Sequence, residues 1–275
     1  MLAVEYSWTF APAPVALALV AAGLFAQGFV RLRRRAPHRA GWDRPALFAA
    51  ALACGVLPLV SPLDGVADEY LLSAHMLEHV LIGDVAPMLA VIAVRGPLVF
   101  FLLPQGVLRA LAGISWLRAA LSFLLRPWAT FVLAVAVVAG WHVPAAYGYA
   151  DLHRGVHDLQ HACFVIAGTL VWAQLVDPAR RRALTEAGRI LYAWGLFAAA
   201  ELSTHVILLD STAHYRPYAG QPVRLLGLSP VADQHWAAAV MTLEQLIVYG
   251  MLTLALIRRV PIPAAELPQR ADALD

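Results

Sequence analysis

Long apolar blocks alternate with short polar stretches along the chain, and the blocks have the length of bilayer crossings. A helix spanning about 30 Å of hydrocarbon needs roughly 20 apolar residues. Seven blocks meet that need: about 13–30, 45–62, 71–94, 128–148, 155–176, 189–209 and 234–257. The stretch 97–125 is also apolar, but Pro104, Gly106, Arg109, Gly113 and Arg118 interrupt it. An interfacial helix or a pair of short helices suits it better than a full crossing. The pattern predicts an all-α, polytopic membrane helix bundle of about seven transmembrane helices. Residues 1–260 are expected to form a single transmembrane domain. Residues 261–275, with Pro261, Pro263 and Pro268, read as a short disordered cytoplasmic tail.

Composition agrees with this and adds an orientation. The chain is 61% hydrophobic and 14% charged, with a mean hydropathy of +0.68, whereas soluble domains carry about 25% charged residues. There is no lysine, and the basic residues are 20 arginines. Seventeen of them fall between blocks 1 and 2, within 95–126, between blocks 5 and 6, and after block 7. Only Arg154, Arg216 and Arg224 fall in the alternate compartment. Basic residues concentrate on the cytoplasmic side of a membrane, so the N-terminus is expected outside and the C-terminus inside. Glu5 precedes the first block and the arginines follow it, the reverse of a cleavable signal peptide. Cys54 and Cys163 lie in different spans and predict no disulfide. The expected partner is the lipid bilayer, with no nucleic acid.

Histidine placement carries the chemistry. Nine of the ten histidines fall on the outer side of this topology, and only His38 falls on the other. Span 3 opens with His75, Met76, Glu78 and His79. On a helix His75 and His79 lie about 40° apart, with Glu78 about 60° to the other side of His75. A pair of histidines at i,i+4 chelates well, and ionisable groups at membrane depth point to function. Pro87, deeper in the span, removes a backbone donor and frees the carbonyl of Gly83. Asp84 lies about 180° from His75 and is expected to meet a polar group of another helix. Span 4 ends Trp141-His142-Val143-Pro144, which puts His142 at the outer rim. In span 5, His153, His157 and His161 form an i, i+4, i+8 stripe about 80° wide, with Gln160 inside it. His153 is the most exposed of the three.

Further polar residues sit in spans 6 and 7. Glu201 and His205 are four residues apart. Asp233, Gln234 and His235 open span 7, and Glu244 lies within it. Glu201 and Glu244 fit three roles equally: orienting imidazoles, carrying protons, or bonding one helix to another as neutral acids. His214 reads as an ordinary loop residue. The expected metal ligands are His75, Met76, His79, His142, His153, His157 and His161. Glu78, Asp233, Gln234, His205 and His235 are expected around them as orienting partners. Imidazole with thioether and no thiolate pair argues against structural zinc or an iron–sulfur cluster and fits copper, with Cu(I) favoured. Haem held between two histidines is the alternative cofactor.

Four short motifs together resemble the multi-pass CtaG-type cytochrome c oxidase assembly factors. They are SAHMLEHVLIGDVAPML (73–89), WHVPAAY (141–147), HDLQHACF (157–164) with the later Trp172, and DQHWAAAVM (233–241). In that family one span carries H-M-x-x-H before an Ala-Pro kink, a later span ends W-H-x-P, the next carries H-x-x-x-H, and the last opens with Asp-Gln. The resemblance spans about residues 70–255 and marks His75, Met76, His79, His142, His157, His161, Asp233 and Gln234. Gly83-Asp84 departs from the family pattern, and His153, His205 and His235 are additions to it.

The resemblance implies a non-enzymatic integral-membrane assembly factor for haem–copper cytochrome c oxidase. Its partners would be the oxidase subunit carrying the copper centre and a copper donor of the outer compartment. It would sit in a bacterial-type plasma (inner) membrane with the histidine cluster facing the periplasm. A haem-binding electron-transfer protein is the runner-up. An intramembrane metalloenzyme lacks a recognisable general-base motif. A copper transporter would need ligands continuing inward, where the sequence offers almost none. Reporter fusions at residues 182 and 220 should report opposite sides of the membrane; the same side for both would overturn the topology.

Overall fold

A computed structural model describes Trp8 and residues 11–258, apart from the side chains of Ser203, His205, Val206 and Ile207. The expected tail 261–275 and the side chain of His205 lie outside the described residues. Every apolar block is helical. The first two are α1 (Pro12–Arg35) and α2 (Asp43–Val60), and a short α3 (Pro62–Glu69) follows. The third block is one continuous rod of α4 (Leu72–Val80), a π turn (Leu81–Val85) and α5 (Ala86–Ala93). The stretch 97–125 contains two short helices, α6 (Gln105–Gly113) and α7 (Ser115–Leu124), bent by 91°. Then come α8 (Pro127–His142), α9 (Pro144–Leu152), α10 (Arg154–Leu175), α11 (Glu186–Leu208), a four-residue α12 (Arg216–Ala219) and α13 (Pro230–Ile257). No strand occurs among the described residues.

Four of these helical rods are long and apolar enough to cross a membrane: Pro12–Arg35, Asp43–Val60, Leu72–Ala93 and Pro230–Ile257. The bent pairs α6–α7 and α8–α9, the latter bent by 74° at the Val143-Pro144 step, would raise the number to six. α10 and α11 have 22 and 23 residues, and their outer turns carry polar side chains. The chain is therefore an all-helical membrane protein with four to six candidate spans. Large apolar side chains stand exposed along the rods, as a lipid-facing surface requires: Leu17 and Leu19 on α1, Ile166 on α10, Leu191 and Leu202 on α11, Leu254 on α13.

Proline and serine set the helix starts. Ser61 and Ser229 each precede a proline at the first helical position, and their hydroxyls accept from the amides of Leu63 and Ala232. The π turn precedes Pro87, whose ring would press on the carbonyl four residues back, and the wider turn relieves that crowding.

The bundle has two chemically different ends. At one, Arg44 donates to the carbonyls of Ala93 (3.0 Å) and Arg95 (2.6 Å), and Arg95 pairs with Asp43. Arg181 donates to the Leu125 carbonyl and Arg189 reaches Asp177 at 3.2 Å. The amide of Gly96 donates to the carbonyl of Pro178 at 2.8 Å. At the opposite end, the 210–232 loop is tied down by tyrosines: Tyr218 donates to the carbonyl of Ala67 and Tyr215 to that of His142. The arginine-rich segments meet at the first end and the starts of α4, α10 and α13 at the second.

Candidate metal centre

Two contacts place the HMxxH helix. The residue preceding α4 is Leu71, which has no side chain able to cap. Asp233, on the first turn of α13, does so from another helix. Its carboxylate accepts from the amide of Leu72 at 2.7 Å, the amide of Ser73 at 3.1 Å and the hydroxyl of Ser73 at 2.5 Å. A carboxylate at a helix N-terminus satisfies orphan donors and meets the positive end of the helix dipole. Gln234 holds the neighbouring loop, accepting from the His214 amide and donating to the Thr212 carbonyl.

The second contact lets α10 approach. A Cβ on Gly83 would come within 2.9 Å of the Cβ of Phe164, and a Cβ on Gly168 would collide with the Gly83 carbonyl oxygen. Small residues at this crossing bring the backbones together. The two helices run in the same direction from the histidine end. His75 therefore meets His157, 82 residues later, and His79 meets His161 at the same offset.

The result is a group of four imidazoles, two of them, His75 and His79, buried. One ligand nitrogen from each of His75, His79, His157 and His161 lies within 4.8 Å of all the others. The Nε2 of His75 is 3.0 Å from that of His79 and 3.2 Å from that of His157. On its far side, the Nδ1 of His75 is 2.7 Å from the Tyr218 hydroxyl. Tyr218 in turn donates to the Ala67 carbonyl at 2.8 Å, so its oxygen accepts from His75. A proton on Nδ1 matches this contact and turns the Nε2 lone pair toward the other rings, the arrangement that metal-binding histidines take. Two ligands on one ion with bonds of about 2.0–2.1 Å stand about 3.3 Å apart. The observed nitrogen separations fit that, and the donor set fits a borderline or soft transition metal.

The other expected residues stand around this group. Met76 is fully buried and packs with Leu72, Tyr147 and Ala237. It also lines a cavity of about 120 Å³ with His79, Asp84, His142, Phe164 and Glu244. His142 lies across Phe164 from His79, outside the four-imidazole group, and its Nδ1 donates to the Val138 carbonyl. His153 is exposed, stacked on Tyr149 and bonded to that residue's carbonyl. His235 is exposed, with its Nε2 3.2 Å from the Asp210 carbonyl. Glu78 is buried, 3.6 Å from His161. His214 pairs with Asp210 at 2.7 Å, and its imidazole holds that exposed carboxyl below the usual range.

Two carboxyls away from the cluster bond helices together. Trp172 donates from Nε1 to Asp84, the interhelical contact expected for that acid. Glu201 accepts from the Thr242 hydroxyl of α13. Sequence reasoning missed Tyr218 and the Gly83–Gly168 crossing. The tyrosines of the 210–232 loop were a visible signal, but loop spacing does not reveal which ring a hydroxyl will reach.

Fold and site together define a helical membrane protein with a buried polyhistidine centre at one end of its bundle. The chain matches the family described as cytochrome c oxidase caa3 assembly factor (Caa3_CtaG) over residues 23–261, and it belongs to that family. No curated protein and no solved structure matches the chain.

Replacing Asp233 by Ala should strand the amides of Leu72 and Ser73 and destabilise the protein by about 1–3 kcal/mol. Asn, which keeps one acceptor, should cost less. Thermal unfolding in detergent measures both; an Asp233→Ala variant as stable as wild type would contradict the trans-capping role.

Proposed function

We propose that this chain is an integral-membrane assembly factor for haem–copper cytochrome c oxidase that carries copper, as Cu(I), in the His75, His79, His157 and His161 cluster. The convergence of four imidazoles, those of His75 and His79 buried, at one end of the bundle is the observation that carries this reading. Family membership supplies the client class, an oxidase. Copper is the cargo, passed by ligand exchange to the oxidase subunit that holds the copper centre. A donor in the outer compartment supplies it. Met76 and His142 flank the cluster along the cavity wall and serve as alternate ligands while the ion moves.

The spacing favours a bare ion over haem. Two axial imidazoles with bonds of about 2.0 Å on opposite sides of one iron hold their nitrogens about 4 Å apart. The 3.0 Å and 3.2 Å separations are shorter.

The reading includes a topology: seven spans, N-terminus outside, C-terminus inside, and the cluster facing the periplasm of a bacterial inner membrane. It counts α10 and α11 as spans and α6–α7 as an interfacial pair. Support comes from α10 and α11 themselves. Gln160 and Ala200 point inward while Leu159, Ile166, Leu191 and Leu202 are exposed. Further support comes from the arginine-rich end lying opposite the cluster.

Replacing His75 and His79 together by Ala should lower the copper content of the oxidase in the same membranes, while this protein stays folded and monodisperse. Elemental analysis of the purified oxidase measures it. Normal oxidase copper in the double variant would overturn the proposal.

A further inference from the structure

One imidazole of the cluster faces two ways. His161 belongs to the four-imidazole group, yet its Nε2 is buried and forms no hydrogen bond. That nitrogen stands 3.6 Å from Oε1 of Glu78. Glu78 is 0% exposed, and neither of its carboxyl oxygens has a hydrogen-bond partner. Buried carboxyl groups are almost always paired, because leaving one unpaired forfeits its hydration. A hydrogen bond would draw the two atoms to 3.2 Å or less. Two ligand atoms sharing one ion, with bonds of about 2.0–2.2 Å, stand about 3.3–3.6 Å apart. The Glu78–His161 separation belongs to the second case.

The His161 ring also adjoins the other rings, its centroid 4.2 Å from that of His157 and 5.1 Å from that of His79. The Nε2 of His75 stands 3.0 Å from that of His79 and 3.2 Å from that of His157. Glu78 precedes His79 on α4 and so leaves the helix about 100° away from it. His161 alone bridges the two flanks. Toward the outer end, Asp64 and Asp68 of α3 are the carboxylates whose charge acts on Glu78, and Asp68 is exposed.

We infer that His161 Nε2 and Glu78 Oε1 form a second metal position of mixed nitrogen and oxygen donors, directly beside the three-imidazole position of His75, His79 and His157. It suits a divalent ion of borderline softness, with water completing the coordination, whereas the all-imidazole position suits Cu(I). The inference rests on the reading of the cluster as a metal carrier. With His161 shared between them, the two positions form adjacent stations, and exchange of a single ligand moves an ion from one to the other.

The test uses the full chain in detergent, loaded anaerobically with Cu(I) and then titrated with Zn(II), which is redox-inert and accepts both donor types. Copper-loaded wild type should take up a further zinc ion. Glu78→Gln should weaken that zinc binding by more than about 10-fold. Glu78→Asp, which keeps the carboxylate but withdraws it, should weaken zinc binding to an intermediate degree and covers the case of a misfolded Gln variant. Zinc uptake that is absent in copper-loaded wild type, or unaltered in both Glu78 variants, would overturn the second position and leave the copper reading intact. Failure of wild type to hold Cu(I) at all would overturn both.

Discussion

The histidine cluster depends on a carboxylate that touches no histidine. Asp233 caps α4 from α13, and that cap fixes the height at which His75 and His79 enter the bundle. Without it, α4 would begin with bare amides in a buried setting, which membranes tolerate least of all. The same turn of α13 places Gln234, which secures the 210–232 loop from which Tyr218 reaches His75. One helix start thus determines both the position of the imidazole pair and the partner that orients its first ring.

The second determinant is backbone proximity. Gly83 and Gly168 remove the side chains that would hold α4 and α10 apart, and the π turn ahead of Pro87 sets the rotation of the rod at that crossing. Because the two helices run the same way, one close contact brings two i,i+4 histidine pairs face to face. Burial then sharpens the chemistry. Neutral imidazoles in an apolar setting have little to bond except one another, a tyrosine or an ion, and Tyr218 has taken the Nδ1 side of His75.

Much of this was legible in the sequence, because a helix converts spacing into geometry. The i,i+4 pairs gave shared faces, block lengths gave the helices, and arginine placement matched the two ends of the bundle. Asp84 meets Trp172 of another helix, as expected, and lines the same cavity as His79. What spacing cannot give is rotation between helices. His142 has the same depth as the cluster but lies across Phe164 from it, and His153 falls on the exposed edge of its stripe. Met76 packs in the apolar core beside the group. Asp233 was visible as a motif residue, yet its role as a cap on another helix follows only from the packing. Tyr218 sits in a loop without periodicity, and nothing local ties it to His75.

The central claim is that the buried imidazoles hold copper, and metal analysis of the purified protein tests it most directly. The full chain would be produced with modest copper, kept free of oxygen, and purified in detergent without a polyhistidine tag. Stoichiometric copper that disappears when His75 and His79 are both replaced by Ala is the predicted result. Stoichiometric iron in place of copper, or copper retained by the double variant, would contradict it.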